Sequence, residues 1–447
     1  MRYTQLMDDN VREMLATIGA GSVDALFRDV PADIRMTGDL ALPAAMSEPE
    51  LRAHLSALAS KNRTTDALVC FLGAGAYDHF IPSVVDAMIS QGSFLTAYTP
   101  YQAEASQGSL QAFYEFQTMV CQLTGMDVAN ASLYELGSAA AEAVLMAHGA
   151  SSKREVVMAA SIHEHVRKVV HTYCRDLSLE LREVKTERGS IQTDIQVLKD
   201  SIGAGTAAVL VQSPNFFGQI EPLDKIAGLC KEAGATLIVA TDPIGCGLLK
   251  RPGDLGADIV VAEGQPLGIP LQMGGPWCGL MAARESFLRR MPGRVVGRTV
   301  DQSGRPAYCL ALQTREQHIR RAKATSNICT NQGLMALRVA IHTAALGRSG
   351  IATVARMCFD KAHYAARRIA ELPGYAMPYS GPFFKEFVVR CEKPVEKVTA
   401  ACRAEGILAG VALGDFYTEM GDCMLVAVTE KRTREEIDRF VDALKRA

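Results

Sequence analysis

Between about residue 150 and residue 265, short runs of apolar residues alternate with amphipathic stretches of helical periodicity. The clearest runs are Thr236–Ala240, which follows a helical stretch over Leu223–Ala233, and Asp258–Ala262. Short strands that are apolar on both faces and separated by helices are typical of a mostly parallel, doubly wound sheet. Ligands bind such sheets beyond the carboxyl ends of the strands. Asp242 and Gln265 follow two of these strands, so we expect both at the ligand-binding edge.

The regions on either side of this alternation have a different character. Helical spacing at Asn10–Ile18 and Glu48–Leu58, with little strand character, predicts an N-terminal helical arm over residues 1–60. The alternating pattern belongs to a large α/β domain over residues 61–330. Beyond it, a strand-helix-strand-strand-helix order predicts a small C-terminal α+β domain with an antiparallel sheet over residues 331–447.

Composition excludes several functional classes. The chain has 447 residues, 48% of them hydrophobic, and a net charge of -2, which gives no electrostatic basis for binding nucleic acid or an anionic membrane. No apolar run approaches the roughly 20 residues of a membrane span, and the polar, acidic first ten residues do not resemble a signal or transit peptide. The twelve cysteines form no Cys-x-x-Cys pair, as is typical of reduced cytosolic thiols rather than zinc ligands. We therefore expect a cytoplasmic protein without a metal ion.

The spacing of Asp242 and Gln265 points to a particular chemistry that is incomplete. In pyridoxal-phosphate enzymes of the aspartate-aminotransferase type, an Asp at a strand end pairs with the pyridine nitrogen, and a Lys about two dozen residues later forms the Schiff base. Here Asp242 is present, but Gln265 stands where the lysine is expected. An amide nitrogen is not nucleophilic, so the chain resembles half of an active site.

Two further motifs near strand ends have a functional and a structural interpretation. His163 and His165 follow a predicted strand; His163 could cover a pyridoxal ring, or both could be ordinary polar packing, and a third metal ligand is not evident. The glycine-rich run at residues 73–79 lacks the third glycine and the Lys-Ser/Thr of nucleotide-binding loops, which favours a turn over a phosphate cradle.

A basic stretch over residues 313–328 contains Thr325 and Ser326 within the sequence Ala-Thr-Ser-Asn. This sequence resembles the Gly-Thr-x-Asn turn with which related pyridoxal enzymes reach the cofactor phosphate of a neighbouring subunit. A helix N-terminus and nearby arginines would suit such a dianion. The alternative is a solvated, basic start of a helix.

Residues 96–108 place Tyr98 and Tyr101 around Pro100, together with amide, acidic and hydroxyl groups. This mixture suits a pocket that binds a small zwitterion. A structural turn with half-buried tyrosines is the other interpretation.

Several of these segments together resemble the P-protein family of the glycine cleavage system, and in particular subunit 1 of its split, two-chain form. The resemblance covers nearly the whole chain and is carried by residues 73–82, 96–102, 116–120, 130–133, 212–218 and 315–321. When Gly274-Gly275-Pro276 is used as the anchor, the family's cofactor lysine, which lies in a His-Lys-Thr motif of the other subunit, falls opposite Gln265.

The resemblance implies a pyridoxal-phosphate transferase fold of type I and a heterotetramer of two copies of each subunit. It also implies glycine as substrate, decarboxylated on pyridoxal phosphate that the partner subunit binds, with transfer of the aminomethyl group to the lipoyl arm of H-protein. This chain would be inactive alone. Tyr98 and Tyr101 would wall the shared substrate pocket, and Thr325 with Ser326 would contact the partner's cofactor phosphate. His163 and Asp242 would be remnants of the chain's own cofactor site.

Two alternatives remain open at this stage. The chain could be catalytic by itself if Lys250 or Lys323 replaced the missing lysine, although neither has the expected spacing from Asp242. The chain could also be a purely scaffolding or regulatory subunit without a part in the chemistry, because fold alone does not fix function.

Overall fold

The computed structural model describes residues 6–36, 38, 40–187, 189–272 and 274–447. It divides into two compact units, Met1–Arg63 and Thr64–Ala447. The first unit contains helices α1 (Asp8–Ile18) and α2 (Glu48–Ala59), where helical spacing predicts them. None of its described residues is buried, so these helices lack a core of their own.

The second unit combines strands and helices throughout. Its strands in the described part of the chain are β1 (Val69–Cys70), β2 (Val128–Ala129), β3 (Glu155–Ala159), β4 (Glu180–Val184), β5 (Thr206–Gln212), β6 (Thr236–Thr241), β7 (Ile259–Glu263), β8 (Gly279–Ala283), β9 (Val295–Val300), β10 (Pro306–Ala311), β11 (Tyr375–Ala376), β12 (Glu386–Cys391), β13 (Ile407–Leu408), β14 (Val411–Ala412) and β15 (Cys423–Ala427). Its α-helices are α3 (Ser83–Ile89), α4 (Gly92–Leu95), α5 (Gln107–Thr124), α6 (Leu136–Ser151), α7 (Glu164–Cys174), α8 (Ile195–Ser201), α9 (Leu223–Ala233), α10 (Gln317–Arg320), α11 (Gly333–Ala370), α12 (Val395–Ala404) and α13 (Arg434–Arg446).

A seven-stranded sheet in the order β2-β8-β7-β6-β5-β3-β4 forms the centre of this unit. Pairing is parallel from β7 through β6, β5 and β3 to β4, whereas β8 is antiparallel to both of its neighbours, β2 and β7. β5, β6 and β7 are almost entirely buried, as expected when helices cover both faces of a sheet. The predicted α/β fold with a mostly parallel sheet is confirmed.

A smaller antiparallel sheet in the order β11-β12-β15-β14 lies near the C-terminus. Helices α11, α12 and α13 contribute to its core. The single strand that the sequence predicts over Ile407–Val411 is divided in the structure: β13 pairs in parallel with β1, whereas β14 joins the antiparallel sheet. The chain changes partner at Gly410, where a Cβ would lie 2.8 Å from the Leu425 carbonyl oxygen, so this close approach needs glycine.

Within the described ranges, no helix is both long and apolar enough to cross a bilayer. Each of the twelve cysteines is free.

Candidate functional site

The site lies where the parallel sheet predicts it, at the carboxyl ends of β5, β6 and β7. A cavity of about 50 Å³ opens there, and Gln212, Thr241 and Glu263 from these three strand ends line it. The loop of residues 73–79 forms another wall, and residues 384–386, which lead into β12, form the opposite wall. We call this cavity the remnant pocket.

Gln265 holds the loop that forms one wall of the remnant pocket, because its side chain both donates to and accepts from the Tyr77 backbone. Its side chain is 2% exposed. Its Oε1 accepts from the Tyr77 N–H at 2.9 Å, and its Nε2 donates to the carbonyls of Tyr77 at 3.0 Å and Ile269 at 2.9 Å. A lysine ammonium has donors but no acceptor, so the amide at this position is suited to holding the loop and not to forming a Schiff base.

Asp242 is not free to receive a pyridine nitrogen. Its Oδ2 lies 2.7 Å from the Lys385 ammonium, and both side chains are largely buried. Its Oδ1 accepts from the Ile244 N–H at 2.9 Å. The position that a cofactor ring would use is therefore taken by a cation from the same chain.

Glu386, the residue after Lys385, binds the loop that covers the remnant pocket. Its two carboxyl oxygens accept from the Ala74 N–H at 2.8 Å and from the Tyr77 hydroxyl at 2.7 Å. Burial raises the pKa of Glu386 to about 7, although these hydrogen bonds oppose the change. Gly73 makes the approach possible, because a Cβ there would lie 2.3 Å from Glu386 Oε1.

His163 caps the N-terminus of α7 and packs against the same loop. Its Nε2 lies 3.0 Å from the Ala74 carbonyl, and its ring lies edge-on to Phe216 at 4.7 Å between centroids. Burial lowers the pKa of His163 to about 4, so the ring is neutral at pH 7 and donates to that carbonyl. These contacts are polar packing, and His163 also lines the remnant pocket, so both interpretations stay open.

The residues present do not fit pyridoxal phosphate in this pocket. The Schiff-base lysine is replaced by Gln265, and Asp242 is paired with Lys385. The open volume of about 50 Å³ holds a few water molecules and is far below the roughly 300–1,000 Å³ of small-molecule pockets.

The lysine that lines the remnant pocket is Lys385, and not Lys250 or Lys323, the two considered as replacements for the missing lysine. Lys250 lies on the wall of a separate cavity beside Cys246 and Leu249, and Lys323 is exposed in a short turn. Lys385 was missed, although the sequence carries a signal: a Lys-Glu pair interrupts the apolar run Phe383–Val389. Charges inside a strand expected to be buried call for internal partners.

A second cluster involves one of the predicted tyrosines. Arg294, only 3% exposed, donates to the Tyr101 hydroxyl at 3.2 Å and to the Cys329 carbonyl at 3.0 Å, and its guanidinium pairs with Glu316 at 3.1 Å. It also lies 5.0 Å from the centroid of the Tyr101 ring. We call these four residues the tyrosine–arginine cluster. Sequence reasoning missed Arg294, because it is one of four arginines between residues 289 and 298 and nothing in the sequence distinguishes it from the others.

The structure brings Tyr101 and the 325–329 segment together through this cluster. Tyr98 lies three residues away on the same loop and is 75% exposed. Thr325 is exposed, and the half-buried Ser326 accepts from the Ile328 N–H at 3.0 Å. Ser326 also hydrogen-bonds Glu142, whose pKa burial raises to about 7.

The expected helix N-terminus at Thr325 is not there. Residues 313–323 form three successive short helical turns, and α11 begins only at Gly333. Residues 324–332, between the last of these turns and α11, form neither helix nor strand. The dipole argument for a phosphate site at Thr325 and Ser326 is therefore lost within this chain, whereas the hydroxyl groups remain.

One group of side chains has the spacing of metal ligands. Ligand atoms of His79, Cys358 and Glu430 lie within 4.8 Å of one another. However, His79 Nδ1 is engaged by Glu430 at 2.6 Å and its Nε2 by the Lys385 ammonium at 3.0 Å. Both ring nitrogens of His79 are therefore used within the chain, and His79 connects Glu430 to Lys385, which lines the remnant pocket.

The fold defines the class. Solved structures that share the architecture include a glutamate decarboxylase from Lactobacillus brevis (TM-score 0.70, 12% identity, 93% of this chain and 95% of that chain). Another is the sphingosine-1-phosphate lyase of Burkholderia pseudomallei (TM-score 0.66, 16% identity, 93% and 94%). The chain has the fold of type I pyridoxal-phosphate-dependent enzymes.

Within that class the family is specific. The model of the glycine cleavage system P-protein matches residues 1–444. The chain is 50% identical over 443 residues to the probable glycine dehydrogenase (decarboxylating) subunit 1 of Geobacillus thermodenitrificans, covering 99% of this chain and 98% of the relative. The likewise named protein of Desulforamulus reducens is 48% identical, with 98% of each chain covered. A crystal structure of glycine decarboxylase (P-protein), in inhibitor-bound form, matches with a TM-score of 0.90 and 39% identity over 100% of both chains. This chain belongs to the glycine cleavage system P-protein family.

Proposed function

We propose that this chain is the subunit of glycine decarboxylase that does not carry the cofactor lysine. With a lysine-bearing partner subunit it decarboxylates glycine on pyridoxal phosphate bound by the partner, and the aminomethyl group passes to the lipoyl arm of H-protein. The observation that carries the proposal is Gln265, which stands in the lysine position with its amide fully engaged by backbone groups. A family member whose own cofactor site is closed needs a partner to hold the cofactor.

The proposed assembly is a heterotetramer with two copies of each subunit, in the cytoplasm. The name shared by its relatives, subunit 1 of glycine dehydrogenase (decarboxylating), supports a second subunit. Twelve free cysteines support a reducing compartment, because disulfides are rare in the cytosol.

In this proposal the exposed Tyr98 and Tyr101 wall the pocket that the partner shares. The Tyr101 hydroxyl is oriented by Arg294, and that guanidinium is held by Glu316. A pre-positioned aromatic wall orients a small zwitterion and excludes water, which lowers the cost of reaching the reactive geometry. Thr325 and Ser326 supply hydroxyl groups to the partner's cofactor phosphate.

The test is the exchange of carbon between glycine and bicarbonate in the presence of pyridoxal phosphate and H-protein. We expect exchange when this chain is mixed with the lysine-bearing subunit, and none with this chain alone. Exchange by this chain alone would contradict the role of Gln265. A folded complex without exchange would contradict the substrate.

Three substitutions separate a shared site from a scaffold: Tyr98→Ala, Tyr101→Ala and Thr325→Ala. If these residues contribute to the site, exchange falls about tenfold or more at unchanged assembly, and Thr325→Ala also weakens pyridoxal-phosphate binding by the complex. The matched control is Thr172→Ala, since Thr172 is exposed on α7 and bonds only within its own helix. Full activity of all three variants would instead indicate a scaffolding subunit.

A further inference from the structure

The remnant pocket surrounds one buried ammonium group with three kinds of acceptor. Lys385 is 1% exposed. Its Nζ lies 2.7 Å from Asp242 Oδ2, 3.0 Å from His79 Nε2 and 3.5 Å from the centroid of the Tyr77 ring. A carboxylate, an imidazole nitrogen and an aromatic face are together the groups that recognise an organic ammonium cation.

Each acceptor is fixed by contacts that do not involve Lys385. The second oxygen of Asp242 accepts from the Ile244 N–H. The ring of Tyr77 is held through its hydroxyl by Glu386 and through its backbone by Gln265. These contacts preorganise the acceptors before any cation is bound.

The third acceptor, His79, is oriented in the same way. Because the ammonium of Lys385 can only donate, His79 Nε2 is the acceptor in this pair, and His79 Nδ1–H donates to Glu430 at 2.6 Å. Glu430 is itself tied to the backbone by the Phe80 N–H at 2.7 Å.

The arrangement is costly unless the cation is present. A buried carboxylate without a partner is strongly unfavourable, and breaking a buried pair by removing one member is more damaging than replacing both. Lys385 supplies this cation from the same chain. A side chain tethered beside the site has a much higher effective concentration than a free ligand.

We propose that the remnant pocket is a binding site for a primary alkylammonium cation, and that Lys385 is its intramolecular ligand. The ammonium takes the place that a cofactor ring nitrogen would have beside Asp242, and it joins the end of β6 to the start of β12 and to the loop of residues 73–79. The inference concerns this chain alone and does not depend on the proposed reaction.

The test removes the tethered ligand and supplies a free one. Lys385→Ala deletes three methylene groups and the ammonium, which together correspond to n-propylammonium. We expect the full-length Lys385→Ala variant to have a lower thermal unfolding midpoint than wild type. Adding n-propylammonium chloride should raise this midpoint towards the wild-type value, and the effect should saturate. Wild-type protein should show no such response, because Lys385 already fills the site.

Three controls define the chemistry of the response. 1-Propanol, of similar size but without charge, should not restore the midpoint of the Lys385→Ala variant. Asp242→Asn in the Lys385→Ala background should weaken the response to n-propylammonium by about tenfold or more. Lys393→Ala, which removes an exposed lysine bound to the Ala447 carbonyl, should give no response. An equal response with 1-propanol, or one independent of Asp242, would overturn the proposal.

If Lys385→Ala does not fold, Lys385→Met tests the same idea at nearly constant volume. Lys385→Met leaves Asp242 without its cation, whereas Lys385→Met with Asp242→Asn removes both charges. We expect the double variant to be the more stable of the two in chemical denaturation at pH 7. A double variant no more stable than Lys385→Met would show that Asp242 does not require a cation, and the proposal would fail.

Discussion

At the scale of single residues, polar side chains and not apolar ones hold the walls of the remnant pocket. Gln265 uses a donor and an acceptor on the loop, and Glu386 uses both carboxyl oxygens on the same loop. Buried polar groups are tolerated when their hydrogen bonds are complete. The buried carboxylate of Asp242 likewise has a partner, the ammonium group of Lys385.

Glu386 gives a prediction about pH. Its usual pKa is 4.5 and burial raises it to about 7 in the folded chain, so the unfolded chain loses its proton first. Stability from this group is present below about pH 4.5 and is lost as the pH rises to about 7. The Glu386→Gln variant should not show this loss. Its free energy of unfolding, relative to that of wild type, should therefore rise by up to about 3 kcal/mol between pH 4.5 and pH 8.

The measurement is the denaturant midpoint and slope at several pH values across that window. The control is Glu232→Gln, because Glu232 is exposed on α9 and its removal should leave the pH dependence of wild type intact. A Glu386→Gln variant whose stability parallels wild type from pH 4.5 to pH 8 would contradict the buried, proton-holding state of Glu386.

At the scale of elements, the pocket depends on how closely β12 approaches the turn after β5. Gly218 lies in that turn with a φ of 88°, and a Cβ on it would lie 2.0 Å from the Glu386 carbonyl oxygen. No rotamer change relieves a contact between Cβ and backbone. The residues that fill the pocket, Lys385 and Glu386, are placed by this contact between two elements far apart in sequence.

Gly218→Ala should therefore destabilise the chain by more than about 2 kcal/mol, through a strained backbone and a displaced β12. The matched substitution is Gly228→Ala in α9, where a Cβ meets nothing within 4 Å. That change should stabilise the chain by about 0.5–1 kcal/mol, because alanine is the better helix former. Chemical denaturation of both variants compares them directly, and equal stabilities would refute the close approach at Gly218.

At the scale of the whole molecule, the N-terminal unit carries a stripe of exposed apolar side chains. On α2, Leu51, Leu55 and Leu58 recur at helical spacing and are 45%, 54% and 44% exposed. An apolar stripe on a helix is stable in water when a partner covers it. We expect this stripe to face the second subunit in the assembled enzyme.

Leu51→Asp with Leu55→Asp should leave the thermal unfolding of the isolated chain nearly unchanged, since these side chains are already exposed. It should weaken association with the lysine-bearing subunit by about tenfold or more, measured by titration in sedimentation or native mass spectrometry. Ser56→Asp, off the stripe on the same helix, is the control. Unchanged association of the double variant would exclude the stripe as a contact.

Much of the fold could be predicted from sequence because its signals are local. Hydrophobic periodicity gave α9 with its observed bounds, Leu223–Ala233, and placed β6 and β7 within one residue at each end. Asp242 and Gln265 could be placed at one edge because parallel strands end together. The division of Ile407–Val411 between two sheets could not be predicted, since it depends on which distant strands are available to pair.

The sequence by itself determined the α/β class, the edge at which the site lies and the absence of a cofactor lysine at position 265. Each follows from periodicity, spacing or residue chemistry within a short stretch. Only the tertiary structure decided that Lys385 neutralises Asp242 and that Arg294 joins Tyr101 to the 325–329 segment. Those partners are separated by more than 140 and 190 residues along the chain, and long-range pairings of charges arise from the way whole elements pack.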